Sequence, residues 1–214
     1  MNKKVEQVLV LSPRMHDGEF SAGGTITRFA EEGKQIFYVI FSTIDTMELK
    51  TYSKELLKEE CLRAKKKLGI PEDNVVFLDF NKRVFPKQRQ EILDSIITIG
   101  RDIRPDLVIC PSSFDTYQDH QVIYNEAFRA FKKTSSIWGM EQPWSTNSRT
   151  DIFIKLTLEH VNKKVCALNE YKSQYSRDHF SEEFIKASAY TRGMTIGVEY
   201  AEGFECIRNF HRLQ

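Results

Sequence analysis

Two short stretches hold most of the side chains that could do chemistry. The first is Arg14, His16, Asp17 and Glu19, just after the apolar run Val8 to Leu11. The second is Pro111-Ser-Ser-Phe-Asp-Thr-Tyr-Gln-Asp-His120, which carries Asp115, Tyr117, Asp119 and His120. An aspartate carboxylate and an imidazole are standard zinc ligands, so Asp17 and His120 form a candidate pair that needs a third ligand. The competing reading is that Asp17, Asp115 and Asp119 only cap helices, a common use of aspartate. Either loop alone fits capping. Two such loops on one edge of a sheet make a site. Neither stretch is a Gly-x-Gly-x-x-Gly fingerprint or a Walker loop, so nucleotide phosphates are not the expected ligand.

The elements around these stretches decide whether they can meet. Val8 to Leu11 is short and apolar, as a buried strand would be. Pro13 is expected to stop it, because proline cannot donate to a ladder. Gly23-Gly24 suits a tight turn, with a helix from Thr25 to Gly33 and Glu19 at the rim of its start. A strand over Gln35 to Ser42, a helix over Ser53 to Leu68, a strand over Val75 to Phe80 and a helix over Lys87 to Arg101 follow. The loop between Thr43 and Thr51 brings Asp45 near a strand end. Next come the strand Leu107 to Cys110 and a helix over Val122 to Lys133. The last third reads as a polar stretch, Gln142 to Ser148, then a strand over Asp151 to Leu156. Helices over Val161 to Tyr175 and Ser181 to Arg192 precede Ile196 to Phe204, whose Glu202 is a candidate for the cleft rim. Repeated strand and helix at this spacing predict an α/β fold, one Rossmann-like domain over residues 1–214 with a mostly parallel sheet flanked by helices. Both polar loops then leave strand carboxyl ends on one edge, where such sheets bind ligands.

Composition narrows the partners. The 31 basic and 30 acidic residues leave a formal charge of +1, which gives no reason to expect nucleic acid or an anionic membrane. No apolar run is long enough to span a bilayer or serve as a secretory signal. Cys61, Cys110, Cys166 and Cys206 are scattered and form no Cys-x-x-Cys pair, as expected of reduced thiols in the cytoplasm.

The combination resembles the PIG-L/LmbE family of zinc-dependent N-deacetylases, from about the first strand to Phe204. The carriers are Val8 to Leu11 with Pro13, Asp17, Gly23-Gly24-Thr25-Ile26, the 111–116 loop with Gln118-Asp-His-Gln121, Tyr171 to Gln174, Arg192-Gly193 and Ala201 to Phe204. The resemblance implies hydrolysis of an N-acetyl group on an amino sugar or related compound by water activated on a metal. It also implies that Asp17 and His120 keep two zinc-ligand positions, that Arg14 replaces the third, that His16 stands at the general-base position and Tyr117 at that of a stabilising imidazole, with Asp119 kept. The family motif has His, Asp and His where this chain has Arg14, His16 and Tyr117.

Those departures are severe. Arginine stays protonated and cannot ligate a metal. Its guanidinium opposes a cation and suits Asp17 as a bidentate partner. Tyr117, matching a cleft histidine, is expected to aim its hydroxyl toward Asp17. Zinc is therefore expected to be absent or weakly held. The first expectation is a catalytically silent or altered protein that binds a small N-acetylated sugar, or that works as a homo-oligomer or another protein's partner. The alternative is an active N-deacetylase with a rearranged His16, Asp17 and His120 metal set. A third reading has Arg14 and His16 handle an anionic substrate without metal.

Overall fold

A computed structural model of the protein describes residues 5–43, 52–142, 144, 149–174 and 181–210. The chain runs β1 (Gln7–Arg14), α1 (Asp17–Glu31), β2 (Gln35–Ser42), α2 (Lys54–Lys67), β3 (Val75–Phe77), α3 (Arg89–Ile103), β4 (Leu107–Pro111) and α4 (Gln118–Phe131). It continues β5 (Ser136–Met140), β6 (Ile152–Leu156), α5 (Leu158–Leu168), α6 (Glu182–Met194) and β7 (Tyr200–Arg208). One seven-stranded sheet has the order β3-β2-β1-β4-β5-β7-β6. Its first five strands are parallel, and β7 is antiparallel to both β5 and β6.

Strand alternation explains the two cores. Val8, Val10, Tyr38, Ile40 and Ile109 face one side, under α1, α2, α5 and α6. Leu9, Leu11, Val39, Phe41 and Val108 face the other, under α3 and α4. A central strand buried on both faces carries a near-continuous apolar run, as Val8 to Leu11 of β1 and Ile36 to Phe41 of β2 do.

Several sequence expectations change. β1 does not stop at Pro13 but pairs with β2 as far as Arg14↔Ser42. Its ladder to β4 ends at Val10, so proline sits where one side of the strand is already unpaired. Helix α1 starts at Asp17 rather than Thr25. Gly23 and Gly24 lie inside this helix and make no turn. A methyl group at Gly23 would meet Lys164, and one at Gly24 would meet Leu156 and Glu202. Their role is close packing. α4 likewise begins at Gln118 rather than Val122. β5, which the hydropathy pattern did not mark, pairs with β4 in register Leu107↔Ser136. A last strand, Tyr200–Arg208, overlaps the end of the Ile196 to Phe204 stretch, β3 ends early at Phe77 and α5 stops at Leu168. Asp45 lies outside the described residues. Among the described residues no helix is long and apolar enough to cross a membrane.

Candidate functional site

Strand order reverses between β1 and β4. One strand leads by α1 to β2 on one flank, and the other by α4 to β5 on the opposite flank. A crevice opens at the carboxyl ends of such a pair. Arg14 ends β1 and Asp17 begins α1, while Tyr117 precedes the first turn of α4 and His120 lies within it.

The turn from Ser12 to Gly18 is tied by its own polar atoms. The Ser12 hydroxyl donates to the Arg14 carbonyl (2.5 Å) and accepts from the Gly18 N–H (3.1 Å). The Arg14 N–H donates to Asp17 Oδ2 at 2.9 Å. This aims the Asp17 carboxylate at α4, where His120 Nε2 lies 3.2 Å from the same oxygen. That contact is a charge pair rather than an aligned hydrogen bond. On its other side His120 Nδ1 lies 2.7 Å from Asp115 Oδ2. Asp115 is in turn fixed by the Tyr117 N–H on Oδ1, at 2.9 Å.

Electrostatics fix the protonation states. Burial works to raise the pKa of Asp17, but His120, His16 and Arg14 hold its carboxyl far below the usual range. Burial works to lower His120, yet Asp17 and Asp115 outweigh it and raise the pKa to about 9. At neutral pH His120 is therefore an imidazolium between two carboxylates, and cannot accept a proton.

The other residues singled out from the sequence divide. The Arg14 guanidinium does not pair with Asp17; among the described residues no ion pair joins the two side chains. Its carbon lies 5.1 Å from the centre of the Tyr117 ring, and its buried Nε has no hydrogen-bond partner among the described residues. Tyr117 is 41% exposed and offers its ring rather than its hydroxyl, 5.4 Å from the His120 ring. The expected hydroxyl contact near Asp17 is absent among the described residues, because the ring sits under the guanidinium instead. His16 is the N-cap residue of α1 but does not cap with its side chain, and its buried ring lies 5.9 Å from that of Tyr171. Asp119 turns away from the crevice. It accepts the N–H groups of Arg83 (2.6 Å) and Phe85 (3.4 Å), holding a turn in which Arg83 has φ 71°.

Glu19 is not a rim residue. It is fully buried, paired with Lys65 and bonded to the Tyr38 and Tyr171 hydroxyls. Lys65 Nζ and the Tyr171 hydroxyl also reach the Met15 carbonyl, at 2.6 and 2.8 Å. This cluster anchors the loop between Arg14 and Asp17 from beneath. Glu202 is buried as well. It accepts the N–H groups of Gly24 (2.9 Å) and Thr25 (2.7 Å) inside α1, and pairs with Lys164 at 2.8 Å.

The donor set can be tested against zinc. Two ligands on one tetrahedral ion, each about 2.1 Å from it, stand about 3.4 Å apart. Asp17 and His120 are 3.2 Å apart, and Asp115 occupies the place of the carboxylate that orients a ligating imidazole. The resemblance would put the third ligand at Arg14, which cannot ligate. Among the described residues no three His, Cys, Asp or Glu side chains come together to hold a metal, and His16 does not complete the set. The described residues present two zinc ligands and no third. Asp115, the partner that completes the His120 environment, escaped the sequence reading because an aspartate before a helix looks like a cap; its five-residue spacing to His120 was the available signal.

Comparison with known proteins follows the same lines. The family model described as PIG-L: GlcNAc-PI de-N-acetylase matches residues 9–131. Diacetylchitobiose deacetylase of Thermococcus kodakarensis is 24% identical over 228 residues, covering 95% of this chain and 84% of that protein. The solved N,N'-diacetylchitobiose deacetylase of Pyrococcus horikoshii superposes with a TM-score of 0.77 at 19% identity, over 95% of this chain and 84% of that one. The 4-carboxy-2-hydroxymuconate hydratase of Pseudomonas putida superposes with a TM-score of 0.79 at 22% identity, over 98% and 100%. The same fold thus carries a hydratase as well as deacetylases.

Proposed function

The chain belongs to the PIG-L family, and from that premise we propose that it binds a small N-acetylated amino sugar in this crevice without the family's metal-dependent hydrolysis. The observation that carries the reading is Arg14 at the third ligand position, beside an Asp17–His120–Asp115 chain whose charges already meet one another. Hydrolysis of an amide needs an activated water and a base. Here Asp17 already faces His120 at 3.2 Å and accepts the Arg14 N–H at 2.9 Å. What remains suits binding. Arg14 and the exposed face of Tyr117 offer a cation and an aromatic surface at the crevice mouth, in the manner of pockets that fix a ligand with few polar groups.

A second reading is an active metal-dependent N-deacetylase using His16, Asp17 and His120. The deacetylase names of the relatives favour it, and taken without the side chains they favour it over the first. It requires His16 to leave Tyr171 and His120 to lose its proton. One experiment separates the two. The protein, purified without chelator, is assayed for zinc content, for acetate release from N-acetylglucosamine and N,N'-diacetylchitobiose, and for binding of both by saturation-transfer NMR. The first reading expects sugar binding, no stoichiometric zinc and no acetate. Acetate release that a chelator abolishes and zinc restores would establish the second.

A further inference from the structure

Beside the crevice, on the same edge of the sheet, lies a cavity of about 580 Å³ between the first turns of α1, the end of β5, α6 and β7. Its charged side chains are already satisfied by each other. Lys164 meets Glu202 at 2.8 Å, and Arg192 Nε meets Glu141 Oε2 at 2.9 Å. An ionic ligand would find no unmatched charge there.

The uncharged polar groups are the opposite case. Gln142 is 1% exposed, and among the described residues neither its amide nitrogen nor its amide oxygen has a hydrogen-bond partner. Ser21, on the facing helix, is 8% exposed, and its hydroxyl is equally unpartnered among the described residues. Both residues line the cavity. Buried polar atoms are nearly always bonded, so three such atoms around one space mark where a bonding group belongs. Together they ask for an uncharged ligand that both donates and accepts, such as a pair of hydroxyls or a secondary amide.

One wall is aromatic. Phe20 stacks between Trp144 and Phe184, with centroids 6.2 Å apart and planes within 5° on each side. Trp144 also meets the Tyr117 ring edge-on at 5.2 Å, and Tyr117 lies against His120. The aromatic wall therefore runs unbroken from the crevice into the cavity. An apolar platform with hydrogen-bonding atoms around it fits a ring that has a C–H face and polar substituents at its edge.

We propose that this cavity is a second sugar subsite, in which Gln142 and Ser21 hydrogen-bond the next ring of an oligosaccharide whose first ring lies at Tyr117. The proposal rests on the reading of the crevice as a sugar site, and its test keeps the two apart. N-acetylglucosamine and N,N'-diacetylchitobiose are titrated by calorimetry and saturation-transfer NMR into the native protein, Gln142→Met and Ser21→Ala. The disaccharide should bind at least about tenfold more tightly than the monosaccharide, the worth of a hydrogen bond or two. Gln142→Met should remove that preference and leave monosaccharide affinity unchanged, and Ser21→Ala should reduce it by about threefold or more. Should Gln142→Met fail to fold by circular dichroism, Ser21→Ala, a smaller change, decides alone. Equal affinity for the two sugars, or a preference that survives the substitutions, overturns the second subsite while the crevice reading stands. Binding of neither sugar overturns both.

Discussion

Arg14→His should convert the crevice into a zinc site, and the size of the effect follows from the geometry. Asp17 Oδ2 and His120 Nε2 are 3.2 Å apart, against about 3.4 Å for two ligands of one tetrahedral zinc, so neither needs to move far. Asp115 already holds His120 by its other nitrogen. The substitution removes a fixed positive charge and supplies a third donor from the end of β1. The gain should exceed about 100-fold in zinc affinity, because loss of a mere outer partner of a ligand costs 10- to 100-fold.

A penalty remains that pH can reveal. Zinc must displace the proton of His120, whose pKa is about 9. At pH 7 that costs about 3 kcal/mol, some two pKa units at roughly 1.4 kcal/mol each. The zinc affinity of Arg14→His should therefore rise about tenfold per pH unit between pH 6 and 8. Competition with a chromophoric chelator over that range measures both effects. Submicromolar stoichiometric zinc in the unsubstituted protein would refute the reasoning, as would an Arg14→His variant that binds no better. Adding His16→Asp and Tyr117→His should be needed before acetate is released.

Three further outcomes are expected. Lys65→Met strands the buried Glu19 carboxylate and should cost about 3–5 kcal/mol in urea unfolding, most of it recovered in the double variant with Glu19→Gln; a cost below about 1 kcal/mol would contradict the buried pair. Tyr117→Phe should leave sugar affinity unchanged, since the ring and not the hydroxyl makes the contact, whereas Tyr117→Ala should weaken it by roughly 0.5–2 kcal/mol of lost ring contact. The raised pKa of His120 means a stabilising contribution that is complete below about pH 6.5 and lost as pH rises through about 9; it amounts to about 3 kcal/mol, shared with Asp17. Urea unfolding at pH 6 and pH 10, with the His120 resonance followed by NMR, would expose the absence of that loss.

The parallel sheet was legible because each of its first strands carries a short, nearly unbroken apolar run and each is followed by an amphipathic helix. β5 was not. Its Ser-Ile-Trp-Gly-Met has neither a continuous apolar run nor a clean alternation, and only pairing with β4 makes it a strand. The start of α1 was hidden for a related reason. Gly18, Gly23 and Gly24 disfavour helix by propensity, but tertiary contacts decide, with Tyr38, Lys164 and Leu156 packed where side chains would otherwise stand. The meeting of Asp17 with His120 followed from topology alone. The partners chosen by Arg14, Asp119 and Glu19 did not, because each has several acceptors or donors in reach and only packing selects among them. Gln142 sits in a stretch read simply as polar, and nothing in its neighbours marks it as buried.

The charges around His120 explain why the substitutions belong together. Asp17 and Asp115 bring two negative charges into a space closed to water, and burial of such charges is tolerated only when they are matched. In a zinc site the ion supplies two positive charges and His120 is neutral. In this chain His120 carries one as an imidazolium and Arg14 carries the other, with His16 adding to the field at Asp17. The sum is the same with no metal. Substituting the ligand histidine by an uncharged residue would have left a buried carboxylate unmatched; arginine keeps the balance. A divalent cation entering the native site would have to expel the His120 proton and still face the guanidinium. The guanidinium therefore helps hold the Asp17 carboxyl ionised, and its charge is expected to oppose a metal cation at the same place.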